Sequence, residues 1–277
     1  MTGLRRGILA SAALLASPAL LSAGDVEVSA TVGYAAPTYS QSLSYSLGDL
    51  SPLPGLRAVG VQPFQLDAKG GAAVGAGLVW YLAGPLGIEG RFDALNVDLQ
   101  TTGAVYELRG PSGTEPLARL QVGGGAVQVD PLHALSLNLR LSSSGSLRFA
   151  LSGGVSWLPA IKARSTQSVR LDVLRPVSIS VDLATLALGA EAAPANEGGS
   201  WGANAGVMVG LGLSHHLAVV AEARGFAFPK RTLRWTAETN HPPTPFEEAL
   251  LGRLSRLEPI AFDPLFFSAT VGLALRF

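Results

Sequence analysis

The C-terminal stretch Phe267-Ser-Ala-Thr-Val-Gly-Leu-Ala-Leu-Arg-Phe277 has the most regular pattern in this chain. Every second position is apolar, through Phe267, Ala269, Val271, Leu273, Leu275 and Phe277. Small or polar residues stand between them, and Arg276 is the last of these. Because successive side chains of a strand point to opposite faces, the alternation predicts a β-strand with one apolar face. The stretch closes on an aromatic residue of that face, whereas the ends of soluble domains usually fray into polar residues.

Seven stretches further upstream alternate in the same way, which predicts eight strands in all. In residues 133–142, for example, leucines at every second position oppose Ser136, Asn138 and Arg140. Each stretch has roughly the nine to eleven residues that a tilted membrane-spanning strand needs. The other predicted strands cover residues 26–34, 72–82, 88–94, 147–157, 201–213 and 217–228.

The connections between the predicted strands alternate in length. Three are short turns, such as Ala83-Gly84-Pro85, and four have more than thirty residues each, at 35–71, 95–132, 158–200 and 229–265. Short periplasmic turns opposite long extracellular loops are typical of a transmembrane barrel, and an even strand number places both chain ends on the periplasmic side. The pattern therefore predicts an all-β fold, an eight-stranded antiparallel transmembrane β-barrel.

Three other architectures compete with this one. A ten-stranded barrel results if residues 169–173 and 177–183 form a further membrane hairpin, although the polar residues 164–168 favour a strand extension above the membrane. A helical membrane protein fits the uncharged residues 70–88 and 198–221, but both stretches contain several glycines and alternate with period two. A soluble β-sandwich would carry polar residues on its outward face rather than Leu and Val.

Composition excludes several classes of function. The 277 residues include 20 basic and 20 acidic side chains, a formal net charge of +0, which argues against nucleic acid as a partner. The sequence has no Cys, which excludes disulfides, Cys-ligated zinc, a thiol nucleophile and a lipoprotein anchor. No phosphate loop, dinucleotide fingerprint or spaced set of metal ligands occurs, so we expect no cofactor and no metal.

The N-terminal segment has the layout of a secretory signal peptide. Arg5 and Arg6 precede an uncharged run rich in Ala and Leu, and Leu21-Ser22-Ala23 offers small residues for cleavage. A retained membrane anchor is the alternative, but Pro18 interrupts a run that is already short for a helical span. We therefore expect a signal peptide at residues 1–23 and a barrel at residues 24–277.

The inward positions of the predicted strands carry both signs of charge. The lumen of an eight-stranded barrel is only wide enough for side chains to fill it, so these groups should pair with each other. Paired carboxylates stay ionised, which argues against catalytic acids and favours structural packing over ion conduction. The predicted lumen charge network contains Glu27, Glu89, Arg91, Asp93, Arg140, Arg148, Glu222, Arg224 and Arg276.

Aromatic residues fall near both ends of the predicted strands, as expected for belts at the two membrane interfaces. Phe226 and Phe228 share the parity of Glu222 and Arg224, so either a bulge turns them outward or the predicted register is wrong. The predicted belts contain Tyr34, Trp157, Trp201 and Phe267 at the outer ends and Trp80, Phe149 and Phe277 at the periplasmic ends.

The four histidines are the candidates for an enzymatic site. A lipid-modifying or proteolytic barrel needs a His beside a Ser or a carboxylate near its outer rim. His133 has the right height on the fourth predicted strand, but no recognisable motif surrounds it. His215 and His216 lie in a predicted periplasmic turn, and His241 lies in a proline-rich loop sequence. We therefore predict no catalytic residue.

The fourth long connection contains a helical pattern. Thr244-Pro245-Phe246-Glu247 has the form of a capping box with Pro at the first helical position. Apolar residues then recur at helical spacing, at Phe246, Leu250, Leu254 and Leu257. A helix this short needs a docking surface, either neighbouring loops at the barrel mouth or a surface partner.

Taken together, these features resemble the small eight-stranded outer-membrane barrels of the OmpA-like and OmpX-like superfamily. Gly33-Tyr34 and Leu86-Gly87-Ile88-Glu89-Gly90-Arg91-Phe92 look like strands of those barrels, although the likeness lies in pattern rather than residue identity. The C-terminal pattern is similar to the signal that the barrel assembly machinery recognises, with Phe267, Val271, Leu273, Leu275 and Phe277 as its apolar residues.

This resemblance implies a protein in the outer membrane of a Gram-negative-type bacterium, in contact with outer-membrane lipid. We expect no separate peptidoglycan-binding domain of the OmpA type, because the chain ends at the eighth predicted strand. Members of the superfamily act as anchors, adhesins, small-solute pores or surface-interaction proteins, so membership alone does not choose a function. The charge-filled lumen favours a non-enzymatic barrel that presents long surface loops. A small-solute channel and a lipid-modifying enzyme are the alternatives.

Overall fold

The computed structural model describes residues 25–38, 40–43, 57–111, 113–123, 126–174, 178–192, 199–238, 242–244, 248, 260–262 and 264–277. Its strands in chain order are β1 (Val26–Pro37), β2 (Ser40–Leu43), β3 (Arg57–Gln62), β4 (Phe64–Ala83), β5 (Leu86–Thr102), β6 (Ala104–Arg109), β7 (Pro116–Val122), β8 (Ala126–Val129), β9 (Leu132–Ser142), β10 (Leu147–Leu158), β11 (Lys162–Val173), β12 (Ile179–Ala192), β13 (Ser200–Gly212), β14 (Leu217–Ala227), β15 (Arg231–Glu238), β16 (Ile260–Phe262) and β17 (Leu265–Arg276).

Eight of these strands form a closed barrel, in the order β1, β4, β5, β9, β10, β13, β14 and β17, each antiparallel to the next. The ring closes where β17 pairs with β1, which sets Val32 opposite Val271. The predicted all-β fold and the predicted strand number are confirmed. The ten-stranded alternative is wrong, because β10 pairs directly with β13 while β11 and β12 pair with each other outside the ring.

The barrel strands turn apolar side chains outward and polar side chains inward, the reverse of a soluble protein. On β9, Leu139 is 64% exposed, whereas the next residue, Arg140, is 3% exposed. A continuous apolar outer face is stable only where lipid surrounds it, and the closed ring satisfies the backbone hydrogen bonds that lipid cannot. Separately, the described part of the chain has no helix with the length and apolarity needed to cross a membrane.

The polarity of β5 reverses partway along the strand. In its first half the outward residues are apolar, as at Phe92, and the inward residues are charged, as at Asp93. Beyond residue 94 the inward side chains of Leu95 and Val97 are buried and apolar, and Asn96 is exposed. Lipid therefore contacts the first half of the strand and water contacts the second half, so the outer membrane boundary lies near residue 94.

The long connections contain extensive β-structure, of which the sequence pattern indicated only the stretches 169–173 and 177–183. β4 and β5 have 20 and 17 residues, so this hairpin continues far beyond the predicted stretches 72–82 and 88–94. β3, β6, β7, β11, β12, β15 and β16 pair in that order and form what we call the outer sheet. β8 pairs with both β5 and β11 and so joins the outer sheet to the barrel wall.

The outer end of the lumen is closed by aromatic rings. β14 pairs with β13 and β17 without a register shift, so no bulge turns Phe226 or Phe228 outward. Both side chains point into the barrel, where they are 1% and 6% exposed, because this level lies at the boundary where the interior becomes apolar. Their rings stack on Phe266 at centroid distances of 5.0 Å and 5.8 Å. We call these three residues the aromatic layer.

Two sequence predictions fall largely outside the described residues. The signal peptide at residues 1–23 lies entirely outside them, and so do Phe246, Leu250, Leu254 and Leu257 of the helical pattern. Within the described part, the backbone N–H of Glu248 donates to the carbonyl oxygen of Thr244 at 2.8 Å. This bond has the i to i+4 spacing of a helical turn and begins at the predicted N-cap.

Candidate functional site in the barrel lumen

Two ion pairs of opposite polarity cross the lumen at mid-height. β5 and β14 are separated by three strands in either direction around the ring, so they lie on opposite sides of the barrel. Arg224 on β14 reaches Glu89 on β5, with 2.9 Å between Nη2 and Oε2. Arg91 on β5 reaches back to Glu222 on β14, with 2.7 Å between Nη1 and Oε2. We call these two contacts the crossed pairs.

Further contacts extend the crossed pairs into a chain of alternating charge. Arg91 binds Asp93 at 2.9 Å, and Arg224 binds Glu222 at 2.8 Å on its own strand. Arg140 bridges two acids toward the periplasm, at 3.2 Å from Glu89 and 2.7 Å from Glu27. Every side chain in this lumen network is at most 6% exposed; its members are Asp93, Arg91, Glu222, Arg224, Glu89, Arg140 and Glu27.

Neutral polar side chains complete the hydrogen bonds of the network. The amide of Asn138 donates to Glu89 at 2.8 Å, and Asn204 accepts a hydrogen bond from Arg224 at 2.6 Å. The alternation predicts that Asn138 faces inward, but no signal in the sequence marks Asn204 as a partner of Arg224. Among the described lumen residues, only the Thr270 hydroxyl is buried without a hydrogen-bond partner. Burial of these charges is tolerated because each is both paired and hydrogen-bonded.

A glycine provides the space for the upper part of the network. A Cβ on Gly75 would lie 2.5 Å from Nη2 of Arg91 and 2.8 Å from Oδ1 of Asp93. Cβ atoms do not approach other heavy atoms this closely, so any larger residue would displace the pair. The absence of a side chain at position 75 is therefore part of the site.

The periplasmic opening holds two more arginines of the predicted set. Arg148 lies 4.0 Å from Glu27 and is 15% exposed, so it continues the alternation into the solvent-accessible end. Among the described residues, Arg276 forms no ion pair with an acid of the lumen network. As the last residue of β17 it lies at the seam and binds Asp25 at 2.6 Å, a partner that the sequence reasoning missed. Its guanidinium also stacks on the ring of Tyr81, 4.6 Å from the centroid.

A buried arginine that sequence reasoning missed lies at the outer rim. Arg231 is 1% exposed and donates to the carbonyl oxygens of Leu158 and Pro159 at 2.6 Å and 2.8 Å. Its Nε donates to the hydroxyl of Ser200 at 2.9 Å. These contacts connect the ends of β10 and β13 to the start of β15. The position follows Pro229 and Lys230 in what reads as an exposed loop, so the sequence offered no sign of its burial.

The lipid-facing residues of the sequence analysis lie on the outer wall. Trp157 is half-buried and faces Trp201 across the β10–β13 pair. The outward and exposed aromatic side chains of the predicted belts are Tyr34, Trp80, Phe149, Trp201, Phe267 and Phe277. Val271, Leu273 and Leu275 are exposed on the same face. The backbone N–H of Phe277 donates to Val26 at 2.8 Å, so the last residue belongs to the β1 seam.

The described histidines lie away from the lumen carboxylates. His133 is exposed on the outer wall, where its ring stacks on Phe92 at a centroid distance of 5.6 Å. His215 and His216 lie in the periplasmic turn, and His216 Nδ1 contacts the carbonyl oxygen of Arg276 at 2.9 Å. His241 falls outside the described residues. Within the described ranges, no cluster of three or more His, Asp or Glu residues could hold a metal ion.

No protein-family model matches the sequence, and no curated protein matches it either. Among solved structures, the outer membrane protein OprG from Pseudomonas aeruginosa is similar at 13% identity and a TM-score of 0.43, with 92% of this chain and 96% of that chain covered. The attachment invasion locus protein Ail of Yersinia pestis, solved with the heparin analogue sucrose octasulfate, has 9% identity and a TM-score of 0.34, with 91% and 99% covered. The outer membrane protein AlkL has 12% identity and a TM-score of 0.35, with 92% and 90% covered.

The architecture itself gives the structural class. Its ring of eight strands is closed, its outer face is apolar, and its interior is filled with paired charges. A barrel with this polarity is a membrane-spanning barrel of the kind found in outer membranes of Gram-negative bacteria. The chain is a small eight-stranded outer-membrane β-barrel.

Proposed function

We propose that this protein is a non-enzymatic outer-membrane barrel with a closed lumen, which presents its outer sheet and loops for structural or surface-interaction roles. The observation that carries the proposal is the crossed pairs, which join opposite walls of the lumen at mid-height. The aromatic layer adds a second closure at the outer end.

The exposed fractions support a closed lumen. A continuous column of water would hydrate the inward carboxylates and guanidinium groups, but Glu89 is 0% exposed and Arg224 is 2% exposed. To open a path, the barrel would have to separate charges that are buried and in contact, which is costly when the partners remain in a low-dielectric interior. A solute would then meet three stacked phenylalanine rings above the separated charges.

The outer sheet supports a role in surface display. One of its faces is apolar and buried, as at Tyr106, Leu108 and Leu120. The other face carries charges, and there the more exposed Arg109 and Arg119 bind the buried carboxylate of Glu107 at 2.8 Å and 3.3 Å. Two-faced sheets of this kind are ordered by burial of their apolar side, so the charged side is held in a fixed arrangement toward the exterior.

Conductance of the purified barrel in planar lipid bilayers tests the closed lumen. We expect no steady openings from the wild type, and we expect openings to appear when both crossing arginines are removed in Arg91→Ala with Arg224→Ala. Steady openings of the wild-type protein would overturn the proposal and support the small-solute channel.

The non-enzymatic part needs its own assay. The wild-type barrel should leave outer-membrane lipids unmodified during prolonged incubation, as judged by mass spectrometry of the extracted lipids. A lipid-modifying activity that disappears in His133→Ala would overturn this part of the proposal, because His133 is exposed on the lipid-facing wall.

For the fourth long connection we propose contact with a surface partner through its apolar helical stripe. Leu250→Asp with Leu254→Asp should abolish surface binding while the barrel keeps its heat-modifiable migration and its protease resistance. A protease-sensitive loop with unchanged binding would show instead that the stripe packs on neighbouring loops.

A further inference from the structure

The outer wall of the barrel carries a groove in its apolar face. The groove has a volume of about 550 Å³ and crosses β13, β14 and β17 in their outer halves. Its floor consists of small residues, and its rims are large. Ala205, Ala223, Gly225 and Ala269 form the floor, and Leu151, Val207, Tyr34 and Phe267 form the rims. We call this depression the wall groove.

Strand register explains why the depression forms at this height. Ala223 lies opposite both Val207 and Ala269, and Ala205 lies opposite Gly225, so small side chains adjoin one another across three strands. One row nearer the periplasm, Ala221 has valines as its partners on both sides. The floor therefore ends at that row, and the groove has a definite lower limit.

An apolar depression in a membrane-facing wall requires an apolar occupant. The lining offers almost no polar surface, so water would find too few hydrogen-bond partners there. An empty groove would leave its lining without contact atoms on one side. The groove is continuous with the lipid-facing surface of the barrel, and acyl chains are the apolar groups that surround this surface.

A lysine follows β14 beyond the outer end of the groove. β14 carries Ala223 and Gly225 and ends at Ala227, and Lys230 follows three residues later with an exposed side chain. A lysine at this level reaches the headgroup region, where its ammonium group attracts phosphate. The position of Lys230 in the chain, three residues beyond the outer end of β14, would therefore put a positive charge near the headgroup of a lipid whose chain lies in the wall groove.

We propose that the wall groove binds one acyl chain of a phosphorylated outer-leaflet lipid, whose headgroup phosphate lies against Lys230. The inference rests on the position of the barrel in the membrane and is independent of the role proposed for its loops. The bound lipid would be one that exchanges slowly, in contrast to the lipids that cover the rest of the wall.

Electron paramagnetic resonance of a spin-labelled lipid tests the groove. The full-length barrel is reconstituted into phosphatidylcholine membranes containing a trace of phosphatidylglycerol labelled near the end of one acyl chain. Ala223→Leu and Ala205→Leu each place a larger side chain on the floor, and both positions are outward and exposed. Ala221→Leu is the matched control, because it adds the same atoms to the same strand one row below the groove.

We expect the wild type and Ala221→Leu to show a larger motionally restricted lipid component than both floor variants, because the lipids that cover the rest of the wall contribute equally in all of them. Lys230→Gln should keep the component for labelled phosphatidylcholine and weaken it for labelled phosphatidylglycerol. The floor variants lie on different strands, so if one fails to assemble the other still decides the result. An equal restricted component in all variants would overturn the lipid site. So would a wild-type dimer that cross-links through this face and disappears in the floor variants, because the occupant would then be a second copy.

Discussion

Arg224 and Glu89 are 135 positions apart in the chain, yet their side chains meet in the middle of the barrel with 2.9 Å between Nη2 and Oε2. Because they extend from opposite strands of the ring, the contact ties together β5 and β14, which do not pair with each other through backbone hydrogen bonds. Arg91 and Glu222 make the same kind of contact in the opposite sense, at 2.7 Å. The lumen is therefore held by cross-links of charge as well as by the strand ladders.

Removal of the Arg224 guanidinium should destabilise the barrel strongly. Arg224→Met leaves Glu89 and Glu222 with one cation fewer in a buried site, and breaking a buried pair typically costs about 3–5 kcal/mol. Urea unfolding of the purified barrel measures the loss. Arg148→Met is the control, since Arg148 lies 4.0 Å from its acid and reaches solvent, and it should change stability little. Equal losses in both variants would contradict a buried cross-link.

A side chain at position 75 should disrupt the same network by steric overlap, without removing a charge. Gly75→Val would put carbon atoms where Nη2 of Arg91 now lies, because even a Cβ would be 2.5 Å away. Overpacking of this kind typically costs about 1–3 kcal/mol. Ala76→Val on the same strand points toward lipid and should be tolerated. If both variants unfold at the same urea concentration, Gly75 does not serve to make room.

The C-terminal residue should matter for assembly. Deletion of Phe277 removes the backbone bonds that join it to Val26 at 2.8 Å and 3.3 Å, together with the final apolar side chain of the β17 pattern. We expect export to continue while the amount of heat-modifiable barrel falls, because the variant would lack the terminal aromatic residue that the barrel assembly machinery recognises. A polar tail after Phe277 should act similarly. Normal barrel levels in the deletion variant would refute this assignment.

Acid should loosen the outer sheet through Glu107. The hydrogen bond from Arg109 lowers the pKa of Glu107, burial opposes this shift, and a second bond from Arg119 adds to it. A carboxylate with a lowered folded-state pKa contributes stability above its unfolded pKa, and this contribution is lost as pH falls through the folded value. Protease resistance of the outer sheet should therefore hold at neutral pH and decline only below the ordinary range of Glu. In Glu107→Gln this acid-dependent component should be absent.

The sequence predicted the barrel because two different solvents act on its two faces. In residues 133–142 the outward leucines contact lipid, and Ser136, Asn138 and Arg140 face the narrow lumen. The sequence therefore alternates regularly with a period of two. The same logic explains the end of β14, where Phe226 and Phe228 keep their inward parity and only the chemistry of the interior changes. Both sequence alternatives, a bulge and a wrong register, are therefore wrong, because the unbroken parity already placed the two side chains inward.

Most of the outer sheet and the individual charge partners could not be predicted in this way. In β6 the alternation extends only from Tyr106 to Arg109, which is too short to mark a strand in the way that the longer barrel stretches do. The predicted strand order places the strands of Glu89 and Arg224 opposite each other. Their pairing also depends on the heights of the two residues in the tilted ring and on the directions of their side chains, and local spacing holds no information on either. Asp25 was missed for a similar reason, since its contact with Arg276 arises only when the ring closes.

The seam between β1 and β17 determines how the chain can reach its folded state. The residues that meet there, such as Asp25 and Arg276, are 251 positions apart, close to the largest separation that the chain allows. Loop-closure entropy grows slowly with length, by about 0.6 kcal/mol per doubling, so distance alone is a modest obstacle. The greater hazard is exposure, because every partly formed sheet keeps two unpaired edges that can recruit other chains. Folding dominated by such remote contacts is slow. The partly formed sheet therefore needs protection from other chains until β17 pairs with β1.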